Sequence, residues 1–238
     1  GLGDVYKRQM LFQPAEQQYL QQLSQRLPLS VLLSCPRNQE EIGIDFVHHS
    51  AQLSGNRYDI PDTLTLLKMG QTAGGKCFSD AQMLLNLRSS YQHLLSCLND
   101  DKLDLQDLIQ NNHALIVKHP FPALKQANTG LANLISTSNT INNHFDKALY
   151  LHNNLACFPF FGTGNQRTAR NIMAFTLMKA GVFPCIFWAD SNPFYTDALI
   201  AYKESGDHRR SKDYFIHIYE RTIKRYEPQP DPEFTRNI

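Results

Sequence analysis

The sequence has little of several features that would place it in a special class of protein. Its five cysteines are odd in number and form no C-x-x-C pair, which argues against a disulfide scaffold and against a zinc site. Twelve glycines and twelve prolines in 238 residues exclude collagen-like and low-complexity chains. The most apolar stretch, Val182 to Ala189, is interrupted by Pro184 and is too short to span a bilayer.

Charge of neither sign is in excess. The 23 basic and 22 acidic residues give a net charge of +1, so general attraction to nucleic acid or to an anionic membrane is not expected. The chain does have enough hydrophobic residues, 42% of the total, to bury the core of one globular domain. We therefore expect a cytoplasmic protein with reduced thiols and with neither a nucleic-acid nor a membrane partner.

The two ends of the chain differ from the rest. Residues 1–9 resemble translated sequencing adaptor, and Met10, which follows them at once, is a candidate start. The proline-rich residues 227–238 are expected to form a disordered tail. Between these ends we expect N-terminal helices over residues 10–100 and a core region over residues 101–226.

Hydrophobic periodicity predicts an all-α protein. Apolar residues recur at helical spacing in nine segments: 15–27, 40–53, 59–69, 79–98, 104–117, 145–155, 167–180, 191–202 and 211–226. The pattern fails between His119 and Asn143, where prolines, serines, threonines and asparagines are frequent. We predict a long loop or a small hairpin there.

One segment, Phe160 to Arg170, has the features of a ligand site. Gly162 and Gly164 allow a sharp turn and a close approach of the backbone to a ligand. The helix that follows would offer free N–H groups and a positive dipole end to an anion. Arg167 and Arg170 are three residues apart and can share one side of that helix. The pattern indicates a site for phosphate or carboxylate, open to solvent.

This segment resembles the signature of the Fic (Fido) family, H-x-F-x-[D/E]-G-N-G-R-x-x-R, whose members transfer AMP from ATP to protein hydroxyls. Matches to the signature are Phe161, Gly164, Asn165, Arg167 and Arg170. The similarity extends over roughly residues 105–223, so the core region is Fic-like. It implies a Fic-like helical bundle with a loop or small hairpin flap where a protein target docks. It also implies ATP as donor and a nucleotide or phosphate site made of Gly164, Asn165, Gln166, Arg167 and Arg170.

Three departures from the signature concern the chemistry. Pro159 stands where the family has its catalytic histidine, the general base, and a proline side chain cannot take a proton. Thr163 replaces the acid that helps to hold Mg²⁺, so we expect no metal ligand and little role for Mg²⁺. Gln166 replaces a glycine. No catalytic residue is intact, and the loss of a positioned base typically lowers a rate about a hundredfold to ten-thousandfold.

A second segment, Ser50 to Gly55, resembles the inhibitory helix motif of some Fic proteins, [S/T]-x-x-x-E-[G/N]. Ser54 stands at the position of the glutamate, which in those proteins pairs with the second arginine of the signature, here Arg170. Without the carboxylate no salt bridge can form, so this degenerate motif is expected to make no inhibitory contact. Any helix that ends in Ser-Gly-Asn would also match such a short pattern.

These observations leave three hypotheses, in order of preference. The first is a pseudoenzyme related to the protein adenylyltransferases, a class of nucleotidyltransferase, which still binds nucleotide but transfers AMP weakly or not at all. The second is an active phosphate-donor transferase with an altered site, in which His144 or His152 replaces the lost base. The third is a non-catalytic helical interaction module. We expect His152 to be structural, bonded to the loop before Arg167, and Cys157 to be a packing residue.

Overall fold

The computed structural model describes residues 11–118 and 125–228. Within these two ranges the chain contains helices and no strand, and the one β-type pairing there is an isolated bridge between Pro28 and Val182. The predicted all-α class is confirmed. The adaptor-like residues 1–9 and residues 229–238 of the predicted tail lie outside the described part of the chain.

The α-helices follow one another with short connections. In chain order they are α1 (Pro14–Arg26), α2 (Leu29–Leu33), α3 (Pro36–Gln52), α4 (Ile60–Met69), α5 (Phe78–Ser96), α6 (Leu105–Val117), α7 (Lys125–Ser138), α8 (His144–Cys157), α9 (Asn165–Lys179), α10 (Asn192–Ser205) and α11 (Arg209–Tyr226). A 3₁₀ helix, Ala189–Ser191, precedes α10. None of the helices in residues 11–118 and 125–228 combines the length and the apolar character that a membrane span requires.

Local sequence explains several helix ends. The side chains of Asp59, Asp104 and Asn143 precede α4, α6 and α8, and each accepts hydrogen bonds from backbone N–H groups of the first turn. Gly70 and Gly206 end α4 and α10 in the left-handed conformation that glycine adopts without strain. The sequence therefore sets these boundaries through short-range contacts.

The prediction of a loop or hairpin between His119 and Asn143 is wrong for most of its length. Residues 125–138 form α7, and residues 119–124 lie outside the described ranges. Helix propensity is low here because serine, threonine and asparagine are frequent. Leu131 and Leu134, three residues apart, are buried in a cluster with residues of α6, α8 and α9. This tertiary burial stabilises a helix that the local sequence does not favour.

Three smaller differences concern the N-terminal half. The helix predicted over residues 40–53 begins at Pro36, the helix predicted over residues 79–98 begins at Phe78, and the short α2 corresponds to no predicted segment. These differences do not alter the architecture.

The central helix is α9, which begins in the motif segment. It packs against α3, α5, α6 and α8. From Thr168 to Met178 every residue except Thr176 is buried. Because the first turn of α9 reaches the surface while the rest is enclosed, the motif lies where the core meets solvent.

Candidate functional site

The motif loop, residues 158–164, joins α8 to α9 and turns at Gly164. This residue precedes the first turn of α9 and has φ +79°, a left-handed conformation. A Cβ atom at this position would lie 2.8 Å from Cγ1 of Val117, at the end of α6. Glycine is therefore required here by both conformation and space. The first N–H groups of α9 have no acceptor within the helix, as at any helix start.

The Asn165 side chain holds the loop rather than facing solvent. Its Oδ1 accepts from the backbone N–H of Phe161 at 3.0 Å, and its Nδ2 donates to the Phe161 carbonyl at 2.8 Å. Both ends of the amide are thus engaged with one residue. Any contribution of Asn165 to anion binding comes first from its backbone N–H.

A residue that the sequence analysis missed, His113 of α6, also positions the loop. Its ring stacks on Phe161 with centroids 3.8 Å apart and planes 9° apart. Its Nε2 lies 2.8 Å from the Thr163 carbonyl oxygen, and because a carbonyl only accepts, Nε2 carries the hydrogen. Burial lowers the pKa of His113, which favours the neutral ring. The sequence signals His113 only as a histidine on the buried face of α6, and no recognisable motif surrounds it.

The three residues at which the sequence departs from the signature lie at the protein surface. Pro159, Thr163 and Gln166 are exposed, and residues 158–164 include no ionisable side chain. Thr163 does not fit Mg²⁺, because its side chain offers a neutral hydroxyl in place of a carboxylate. At the end of α8, burial raises the pKa of the Cys157 thiol to about 11, so this thiol is protonated at neutral pH, as expected of a packing residue.

Arg170 is enclosed, which contradicts the expectation that both arginines share an open pocket. Its side chain is 0% exposed. Nε donates to Ser50 Oγ at 2.8 Å, Nη2 donates to the Ser50 carbonyl at 2.8 Å and to Ser54 Oγ at 2.9 Å, and Nη1 donates to Tyr195 Oη at 3.3 Å. Arg167, in contrast, is half-buried and makes no hydrogen bond or ion pair within residues 11–118 and 125–228.

The end of α3 therefore still contacts Arg170, although its motif is degenerate. Hydrogen bonds from Arg170 to Ser50 and Ser54 make this contact, in place of an ion pair with a carboxylate. None of the described carboxylates lies within ion-pair distance of Arg170. A buried guanidinium with only neutral acceptors keeps a charge that nothing nearby balances.

Neither histidine suggested as a replacement base lies at the loop. His152 is 2% exposed, and its Nε2 lies 3.1 Å from Tyr195 Oη rather than bonding the loop before Arg167, so that prediction is wrong. Burial lowers the pKa of His152 to about 4. His144 begins α8, roughly 20 Å along the helix from the end that leads into the loop.

Comparisons with known proteins agree with this geometry, although no family model matches the chain. Protein adenylyltransferase Fic from Aedes aegypti is 23% identical over 219 residues, which cover 82% of this chain and 44% of that protein. The protein of the same name from Culex quinquefasciatus is 25% identical over 215 residues, 80% of this chain and 43% of that protein. The chain thus spans less than half the length of these curated relatives.

Solved structures with a similar fold also belong to Fic proteins. A fragment of Fic-1 from C. elegans superimposes with a TM-score of 0.78 at 20% identity, covering 94% of this chain and 73% of that one. A Fic domain containing signaling protein from Bacteroides thetaiotaomicron gives 0.74 at 15% identity, covering 88% and 95%. The chain has the fold of the Fic (Fido) family. The resemblance predicted from the motif is confirmed, and the motif loop of this Fic-fold protein occupies the start of its central helix.

Proposed function

We propose that this Fic-fold protein binds a nucleotide through its phosphates at the start of α9 and transfers AMP weakly or not at all. Its curated relatives are named protein adenylyltransferases, which supports descent from that activity. The observation that carries the proposal is the contrast within one segment. Anion-binding groups are present after Gly164, whereas the loop before it has no group able to move a proton.

The binding half of the proposal rests on Arg167 and on the backbone of Gly164, Asn165 and Gln166. The N–H groups of a helix start and the dipole of α9 favour a negative charge at this position. Arg167 is half-buried without a partner in the described residues, so a phosphate would supply its missing countercharge. Arg170 is not free to bind unless the end of α3 moves away from it.

The catalytic half rests on the loop. A general base must lie within hydrogen-bond reach of the hydroxyl that it deprotonates. Pro159 offers no such atom, and the ring of His113 is stacked and hydrogen-bonded inside the loop. Thr163 would add little to metal binding, so we expect Mg²⁺ to change nucleotide affinity only slightly.

Titration calorimetry with ATP, with and without Mg²⁺, tests the binding half. We expect a signal at millimolar concentration or below that depends little on Mg²⁺. Arg167→Ala should weaken it, whereas Arg209→Ala, an exposed arginine bonded to Asp207, should leave it unchanged. Absence of binding to the wild type would reject the nucleotide-binding proposal.

Labelling with radioactive ATP tests the catalytic half. We expect self-labelling and labelling of added proteins to remain at background. Strong labelling by the unmodified protein would contradict the proposal and would favour an active transferase with an altered site.

A non-catalytic interaction module is the second candidate, and one observation favours it. Arg170, the second arginine of the motif, is bonded by Ser50, Ser54 and Tyr195 of the same chain. In this hypothesis the arginine is kept because it joins α3, α9 and α10. A folded protein that fails to bind ATP, ADP or AMP would support it.

A further inference from the structure

A second cavity lies away from the motif, between α3, α4 and α5. Its volume is about 230 Å³, below the roughly 300–1,000 Å³ typical of pockets for drug-sized ligands. Its walls combine apolar side chains with a cation and a phenol; those used below are Ile44, Leu67, Leu95, Arg88 and Tyr91. None of its lining residues belongs to the motif loop or contacts Arg170, so this cavity is independent of the proposed nucleotide site.

Arg88 provides a cation without a carboxylate partner. Its Nη1 donates to the Leu67 carbonyl, which fixes one edge of the guanidinium. Its Nε is shielded from water and has no acceptor, and no described carboxylate lies within ion-pair distance of the group. The Nε–Nη2 edge therefore has no acceptor in the described residues, and a ligand would reach Nε only after the side chains that cover it shift. Two parallel N–H groups on one edge match the two oxygens of a carboxylate.

Tyr91 provides a second donor. Its side chain is 2% exposed, and its hydroxyl has no hydrogen-bond partner in residues 11–118 and 125–228. The ring is held by Phe46, whose centroid lies 4.8 Å away, and by the backbone at Gly43. A buried hydroxyl without a partner is costly, so an acceptor brought by a ligand would lower the free energy of the site.

The one acidic residue of the wall is Glu40, and its charge is partly balanced. Lys68 lies 3.7 Å from its carboxylate, and both side chains are about half exposed, 51% for Glu40 and 42% for Lys68. Glu40 therefore sits at the solvent rim, where water screens its repulsion of an anion. The net field deeper in the cavity comes from Arg88.

We propose that this cavity binds a small organic carboxylate with an apolar body. The carboxylate bonds the free edge of Arg88, the Tyr91 hydroxyl donates to the same group, and Ile44, Leu67 and Leu95 pack against the apolar part. The juxtaposition of an unpaired guanidinium, an unpartnered phenol and an apolar wall in one cavity carries this assignment.

Calorimetry on the whole chain tests the site with benzoate as the probe and benzamide as its neutral match. We expect benzoate to bind at millimolar concentration and benzamide to bind at least about tenfold more weakly, because it lacks the charge. Arg88→Gln should weaken benzoate about tenfold to a hundredfold, the range for losing a charge-assisted pair. Arg37→Gln, an exposed arginine paired with Glu41 on the same helix, should leave binding unchanged.

Two further variants keep the proposal testable if Arg88→Gln does not fold. Tyr91→Phe should weaken benzoate about threefold to tenfold, and Glu40→Gln should tighten it by removing a like charge. No binding of benzoate to the wild type, equal binding of benzamide, or undiminished binding to a folded Arg88→Gln protein would each overturn the proposal. None of these outcomes depends on whether the motif loop binds ATP.

Discussion

Arg167 and Arg170 stand three residues apart on α9, yet they occupy opposite environments. Arg170 is completely buried and makes hydrogen bonds to Ser50, Ser54 and Tyr195, whereas Arg167 is half-buried with no partner in the described ranges. Spacing along a helix sets the direction of a side chain, but the neighbouring helices decide what it meets. Two similar residues of one motif therefore have different roles, one in the fold and one in the candidate anion site.

The same segment shows a second contrast, between the loop before Gly164 and the helix after it. The helix side keeps donors that favour an anion, and the loop side lacks a base and a metal-binding acid. If the contrast is correct, substitutions in the loop should change the rate of AMP transfer, and substitution of Arg170 should change the free energy of unfolding. The following predictions test these two statements, from the largest effect to the smallest.

Restoring the loop should produce the largest change. Pro159→His with Thr163→Asp supplies both a base and a carboxylate, so we expect AMP transfer to rise about a hundredfold to ten-thousandfold above the wild-type background. Labelling with radioactive ATP measures it. Adding Arg167→Ala should remove the gain. No rise in a variant that folds and binds ATP would mean that the loop is not the limiting part.

The two arginines should differ sharply in stability. Arg170→Ala removes four hydrogen bonds and leaves a cavity at a fully buried side chain, so we expect a loss of about 3–5 kcal/mol in the free energy of unfolding. Arg167→Ala should cost less than about 1 kcal/mol. Urea denaturation followed by circular dichroism measures both. Equal losses would contradict the contrast between them.

Acid should destabilise the buried side of the site. Burial, opposed by a hydrogen bond to Asn153 and assisted by the charge of Arg170, lowers the pKa of His152 from 6.5 to about 4. The unfolded chain binds a proton near pH 6.5 and the folded chain does not, so stability falls as the pH drops from 6.5 toward 4. The expected loss from this residue is about 3 kcal/mol.

His152→Gln provides the control for this pH dependence. Glutamine keeps a polar side chain beside Tyr195 but does not titrate. The fall in the free energy of unfolding between pH 6.5 and 4 should therefore be smaller in the variant. An identical pH profile would show that His152 does not titrate as described.

Loss of Arg167 should affect binding more than folding. Arg167→Ala is expected to weaken ATP by about 1–3 kcal/mol, the range for a charge-assisted hydrogen bond. Calorimetry measures the change, with Arg209→Ala as the matched exposed arginine. Unchanged ATP affinity in the Arg167 variant would show that the anion site does not lie at the start of α9.

The smallest effect is expected at the degenerate inhibitory motif. Ser54→Ala removes one acceptor of Arg170 Nη2, while the Ser50 carbonyl still accepts from the same nitrogen. We expect a loss of about 1 kcal/mol in the free energy of unfolding. A loss as large as that of Arg170→Ala would show that Ser54 alone holds the contact.

Much of the fold could be predicted because helices depend on short-range patterns. The apolar stripe and Asp104 cap of α6, and the turn at Gly164, are encoded by neighbouring residues. The helix α7 could not be predicted, because its residues favour loops and its stability comes from burying Leu131 and Leu134 against distant helices. His113 was missed for a related reason, since its partners Phe161 and Thr163 lie about fifty residues further along the chain.

By itself, the sequence determined the all-α class, the position of the motif loop and the residues at which that loop departs from the Fic signature. These are properties of single positions and of local periodicity. Only the tertiary structure decided that Arg170 is enclosed, because its partners Ser50 and Ser54, in and just after the last turn of α3, are more than a hundred residues away in the sequence. Burial and hydrogen-bond partners arise when distant segments pack together, and a local pattern does not specify that packing.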